Sequence, residues 1–255
     1  MTEPRAISEP LSVGAWSMLG TPMAASIMAG VGADWLVLDA QHGLYDDRSL
    51  ADSLGVLVGS RHEGRTSRVL VRVPANDDAA IGRALDAGAT GVVVPMVGDE
   101  QEAERAARGC RYPPRGGRSW GSWAGAWGAP VAPPAEADAS VMCAVMVETP
   151  GALDRVTQIA RTPGVDMVFV GPFDLSIALG IEHDALLADD SPDGPLRRVV
   201  RACRDAGVIA GAYAGTPDAT RVLQRHGFTW IAAVTDTALL TRAATDLVRG
   251  VRAGE

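Results

Sequence analysis

Eight short runs rich in Val, Ile, Leu and Ala recur along the chain, at residues 11–18, 34–39, 68–73, 91–96, 141–148, 165–170, 208–213 and 228–234. Most are apolar without strict alternation. That marks strands covered on both faces, as in a parallel sheet wrapped by helices. Between them lie segments whose apolar residues repeat at three and four, such as 77–88 and 216–227, which read as helices. Gly88, Gly207 and Gly227 follow such segments and suit left-handed C-caps. Eight strand–helix units in 255 residues, with no obvious linker, lead us to expect one α/β domain, a (β/α)8 TIM barrel over residues 1–255. The first turn, MLGTPMAA, lacks the glycine fingerprint that an open dinucleotide-binding sheet would carry.

Hydrophobic residues at 47% and charged residues at 21% suit a chain that folds unaided. The formal charge of −8 opposes the electrostatic attraction to phosphate backbones, so no nucleic-acid partner is expected. The start MTEPRAISEP lacks the basic end and apolar run of a signal peptide, and no apolar run reaches membrane length. The expected location is cytoplasmic, with no membrane partner. Cys110, Cys143 and Cys203 are odd in number and widely spaced, which favours reduced thiols, with Cys143 packed in the core. The stretch 109–134, rich in Gly, Pro and Trp, breaks the rhythm. It reads as a long loop, either an intersubunit contact made through its aromatics or a functional loop presenting Arg115 and Arg118 to an anionic substrate.

Chemistry in such a barrel gathers where the strands end. Trp16 on the first run, Asp39, Gln41 and His42 after the second, Arg72 on the third, Glu148 closing the fifth and Asp174 after the sixth all fall at that end. Carboxylates from neighbouring strands can converge on one hard cation, Mg2+, Mn2+ or Co2+, and leave positions open for Lewis-acid work. Arg72 carries a permanent charge in an apolar run and needs an anion. Histidine is the side-chain type best suited to carry a proton in catalysis, which makes His42 a candidate acid–base group, and Asp39 is placed to fix its tautomer or position a water. The residues alone leave plainer readings open: a Glu148–Arg72 ion pair, Asp174 as a helix N-cap, His42 as a loop histidine, Trp16 as core and Gln41 in a solvated turn. His62, His183 and His226 lack a comparable setting.

Three segments, GADWLVLDAQHG, VRVPANDDAAIGRALDAGATGVVVPMV and VMVETPGALDRVTQIARTPGVDMVFVGPFDLSIALG, together resemble the HpcH/HpaI class II pyruvate aldolases over nearly the whole chain. The resemblance implies that Glu148 and Asp174 are the metal ligands, that Arg72 contacts the keto or enolate oxygen, and that His42 moves a proton through a water with Asp39 in support. It also implies that the turn of Gly171, Pro172 and Phe173 holds the substrate carboxylate through backbone amides. Trp16 and Tyr213 would border the aldehyde pocket, with Gln41 also in the substrate site. Asp86 would serve a neighbouring subunit's site in a hexamer built as a trimer of dimers, with residues 236–252 suited to exchange as a C-terminal helix. Met146 departs from the glutamine that many members carry two residues before the metal-binding glutamate, and Gln41 from the glutamate that some carry before the histidine.

The implied reaction is reversible aldol addition of pyruvate or hydroxypyruvate to an aldehyde, without a Schiff base. The absence of lysine from the strand runs agrees with that. Two alternatives are a citrate-lyase-like or malyl-CoA-like lyase, which would need a CoA site, and a non-catalytic metal-binding barrel serving assembly or regulation.

Overall fold

The computed structural model describes residues 10–60, 68–128 and 131–254. Eight parallel strands close into a barrel in chain order: β1 Ser12–Ser17, β2 Trp35–Asp39, β3 Arg68–Arg72, β4 Gly91–Val94, β5 Met142–Met146, β6 Met167–Val170, β7 Ile209–Tyr213 and β8 Trp230–Thr235. Seven expected runs each contain one of them, the eighth run overlaps β8, which ends one residue later at Thr235, and the fold is a (β/α)8 barrel. The two helices read from periodicity span Asp78–Asp86 and Pro217–His226, where Asp77 and Thr216 side chains accept the first-turn amides of Ala80 and Ala219. Gly207 and Gly227 are the left-handed caps expected, whereas Gly88, with φ of 109°, stands one residue beyond the cap Ala87.

Alternation along each strand sorts the buried residues into two cores. One set, including Leu36, Leu38, Val69, Val71, Val145 and Val168, packs outward against the helices. The other, including Trp16, Trp35, Val37, Leu70, Met146, Met167 and Phe169, fills the barrel. Gly14 makes room for the Trp35 ring, into which any Cβ at that position would run. Continuing the same alternation past the strand ends carries Met146 to Glu148 and Phe169 to Gly171, so strand geometry aims those residues at the barrel mouth.

The segment that follows the helix Glu100–Gly109, with Arg115 and Arg118, starts from the opposite, N-terminal end of the barrel. All three cysteines are buried and free. The Cys143 thiol is pushed well up by a hydrogen bond with Cys110 and by burial, which suits packing and not nucleophilic attack. Among the described residues no helix is long and apolar enough to cross a membrane. The C-terminal helix Asp236–Ala253 buries Asp236 but leaves Leu240, Leu247 and Val251 exposed.

Candidate active site

Parallel pairing of β2 with β3 sets Asp39 opposite Arg72. Arg72 grips Asp39 in a bidentate pair, Nε donating to Oδ1 at 2.9 Å and Nη2 to Oδ2 at 2.5 Å. Asp39 Oδ2 also accepts from Trp16 Nε1 at 3.1 Å, while Oδ1 accepts the backbone N–H groups of Gln41 at 3.0 Å and His42 at 3.2 Å. Burial alone would raise the Asp39 carboxyl, but the hydrogen bonds and charge of Arg72, with help from Trp16 and the His42 amide, hold it below its ordinary value. Asp39 thus fixes the backbone that leads to His42, and no bond joins it to the His42 ring. This corrects the expectation that it orients the imidazole. It also disposes of the Glu148–Arg72 ion pair, because the guanidinium is matched to Asp39.

Glu148 is buried just beyond β5. Its Oε2 accepts the Met96 N–H at 3.0 Å, and Met96 takes a left-handed φ of 55° to present it. That conformation is uncommon outside glycine and asparagine, and such strain concentrates at functional positions. Asp174 is the third residue of the helix Pro172–Leu179, whose N-cap is Gly171 without a side-chain cap, so Asp174 is not the cap. The two carboxylates meet over Gly171. A Cβ there would lie 3.0 Å from Glu148 Oε1 and 3.3 Å from Asp174 Oδ2. Burial pushes the Glu148 carboxyl above its usual range. The Asp174 charge adds to this, while the Met96 amide, Arg72 and His42 pull the other way. Two oxygen donors sharing an open space, with like charges in need of a counter-charge, fit a hard divalent cation. No third His, Cys, Asp or Glu joins them among the described residues.

A cavity of about 210 Å³ opens beside these groups, lined by Trp16, Met18, His42, Arg72, Met146, Phe169, Gly171, Pro172, Phe173, Asp174 and Tyr213. His42 is exposed at its mouth. Pro172 has no N–H, so the expected turn of amides is corrected: the first-turn donors of the helix are Phe173 and Asp174, which have no helical carbonyl behind them. Gln41 does not line the cavity, and its Oε1 is buried without a partner. Met146, singled out in the sequence beside Glu148, lines the cavity, and so do Met18 and Phe169, which the sequence pattern did not mark. For Phe169 the signal was there, since it stands two residues before Gly171.

Asp86 and Arg118 lie elsewhere. Both belong to the N-terminal end of the barrel, where Arg118 Nη2 donates to Asp86 Oδ1 at 2.8 Å and the guanidinium lies over the Tyr112 ring at 4.7 Å. Within this chain Arg118 therefore cannot face the substrate, and Arg115 is an exposed residue of the same loop. His226 is buried with Nε2 2.8 Å from the Leu187 carbonyl. His183 stacks on Phe173. His62 and the N-terminal stretch 1–9 lie outside the described residues.

A closed parallel barrel with its charged groups gathered where the strands end is the architecture of (β/α)8-barrel enzymes. Residues 12–243 match the model of one such family, described as HpcH/HpaI aldolase/citrate lyase. The chain belongs to that family, and it is a carbon–carbon lyase. It is 34% identical over 236 residues to a 4-hydroxy-2-oxovalerate aldolase of Rhodococcus jostii, covering 92% of this chain and 89% of the relative. It is 36% identical over 244 residues to a hydroxypyruvate/pyruvate aldolase of Deinococcus radiodurans, covering 92% and 83%. A crystal structure of a family protein from Burkholderia cenocepacia superposes with a TM-score of 0.85 at 34% identity, covering 97% of this chain and 96% of the other.

Proposed function

We propose that the chain is a divalent-metal-dependent class II aldolase that adds pyruvate or hydroxypyruvate reversibly to an aldehyde and cleaves 4-hydroxy-2-ketoacids in reverse. The observation that carries this is the meeting of Glu148 and Asp174 over Gly171, at the edge of a cavity that Asp174 and Gly171 line together with Arg72 and His42. Held by those two carboxylates, Mg2+, Mn2+ or Co2+ would supply Lewis-acid polarisation of the ketoacid carbonyl. The free amides of Phe173 and Asp174 at the helix N-terminus take the ketoacid carboxylate. Arg72, held rigid by Asp39, offers its remaining N–H groups to the oxygen on which enolate charge develops, a preorganised donor of the oxyanion-hole kind. His42, through a water, removes the C3 proton and returns one in cleavage.

All 23 basic residues of the chain are arginine, so no lysine is present to form a Schiff base. A CoA-dependent lyase draws no support from the cavity, where only His42 and Arg72 can carry positive charge and Arg72 is already paired.

The assembly we propose is a hexamer, a trimer of dimers of one-domain chains. Exposed Leu240, Leu247 and Val251 support exchange of the C-terminal helix. Asp86, at the far end of its own barrel, can enter only another copy's site. The three buried free thiols support a cytoplasmic, reducing location.

The test is deuterium exchange at C3 of pyruvate and hydroxypyruvate. Exchange is expected with a divalent ion and lost with a chelator, in His42→Ala and in Glu148→Ala. If neither ketoacid exchanges, the aldolase reading is wrong.

A further inference from the structure

The part of the cavity walled by Trp16, Met18, Met146, Phe169 and Tyr213 is mostly apolar. Trp16 meets Tyr213 edge to face at 5.6 Å and lies 5.7 Å from Phe169. Its one polar atom, Nε1, is spent on Asp39. The Tyr213 hydroxyl is 2.6 Å from Thr235 Oγ1 and bound to it. Met146 and Met18 complete the wall with adaptable thioethers.

The mouth continues the same chemistry. Phe173 is 54% exposed, and its ring stacks on that of His183 at 4.0 Å and 8° from parallel. The Met18 backbone N–H donates to the buried carboxylate of Asp236 at 3.0 Å, and its carbonyl accepts the N–H of Leu44, whose side chain is 75% exposed. An exposed, stacked aromatic and an adaptable thioether beside the cavity form an apolar platform for carbon.

We infer that the acceptor of this enzyme is an uncharged aldehyde with an apolar tail, and not a polyhydroxylated or anionic one. The inference rests on the aldolase reading above and names its second substrate. An anionic tail would need a cation, and the only arginine lining the cavity is paired with Asp39. Asp86, brought in by a neighbouring subunit, would arrive already paired with Arg118 and would bring no net positive charge for an anionic tail. A hydroxylated tail would bury hydroxyls against walls that are mostly carbon, at a cost of about tenfold or more for each one left unpaired. Each methylene placed against Trp16, Phe169 and Phe173 gains instead, about fourfold in kcat/KM, the equivalent of about 0.8 kcal/mol per buried CH2.

The full-chain enzyme, supplied with Mn2+ and whichever ketoacid exchanges at C3, is assayed with acetaldehyde, propanal, butanal, glyceraldehyde and succinic semialdehyde. The expected kcat/KM rises about fourfold per carbon from acetaldehyde to butanal. Glyceraldehyde falls below propanal, and succinic semialdehyde is the poorest. Met18→Arg, which adds a cation at the partly exposed rim, is expected to raise succinic semialdehyde relative to butanal, with a melting curve showing that the barrel is intact. Normal C3 exchange combined with a preference for glyceraldehyde or succinic semialdehyde overturns the inference and leaves the aldolase reading standing. Absence of C3 exchange sinks both, and that outcome is read before any aldehyde is added.

Discussion

Gly171→Ala separates the metal-holding role of the site from its place in the fold. Gly171 has φ of −94° and ψ of 96°, a conformation open to alanine, so the substitution carries little backbone penalty. The added methyl meets the site instead: 3.0 Å from Glu148 Oε1, 3.3 Å from Asp174 Oδ2 and 3.5 Å from Met146 Cε. The two oxygens must give way by a few tenths of an ångström, and the methyl fills the space they share. Overpacking of this size costs about 1–3 kcal/mol. Because the strain falls on the carboxylates, it is expected as a loss of Mn2+ affinity of about 5- to 150-fold, with a similar fall in C3 exchange. Mn2+ binding is read by electron paramagnetic resonance of the free ion, beside a thermal melt and with Glu148→Ala as the non-binding control. The melting temperature is expected to stay within a few degrees of wild type. An alanine variant that binds Mn2+ within twofold of wild type would refute the claim that the two carboxylates bind the ion over Gly171.

Asp39→Asn leaves Arg72 buried without its counter-charge and is expected to lower stability by about 3–5 kcal/mol at neutral pH, read as the urea midpoint. The Asp39 carboxyl is depressed in the folded state, so its contribution is present above the ordinary value of about 3.9 and is lost as pH falls through the lower folded value. The gap between wild type and variant should therefore narrow on acidification, and a constant gap from neutral pH down to about 3 would contradict the pairing. The Glu148 carboxyl is raised above about 4.3 by burial and by Asp174, and only its ionised form can bind a cation. Mn2+ affinity is expected to fall by up to about tenfold per pH unit below that raised value and to level off above it, and a flat profile would count against Glu148 as a ligand. Truncation after Thr237 keeps the buried Asp236 anchor but removes the exposed apolar helix. Sedimentation should show a smaller assembly, while an unchanged hexamer would refute the helix exchange.

Strand and helix placement was legible because it depends on local pattern. Eight apolar runs with helical periodicity between them mark the elements, and the requirement to cover both strand faces selects the parallel barrel. The same alternation places Glu148, Gly171 and Arg72 at the mouth, since a residue's face is fixed by counting in twos along its own strand. Partnership was not legible. Asp39 stands three residues from His42 in the chain, which suggested an orienter for the imidazole, but β2–β3 register sets it opposite Arg72. Arg118 and Asp86 lie 32 positions apart and meet only because two successive helices end at the same side of the barrel. The left-handed Met96 amide on Glu148 had no sequence signal, because methionine does not favour that conformation and the surrounding fold imposes it. By itself the sequence determined that Glu148, Gly171 and Arg72 reach the barrel mouth. Only the tertiary structure decided which of them bind one another, because hydrogen bonds between elements follow from register and loop closure, and these arise when the barrel shuts.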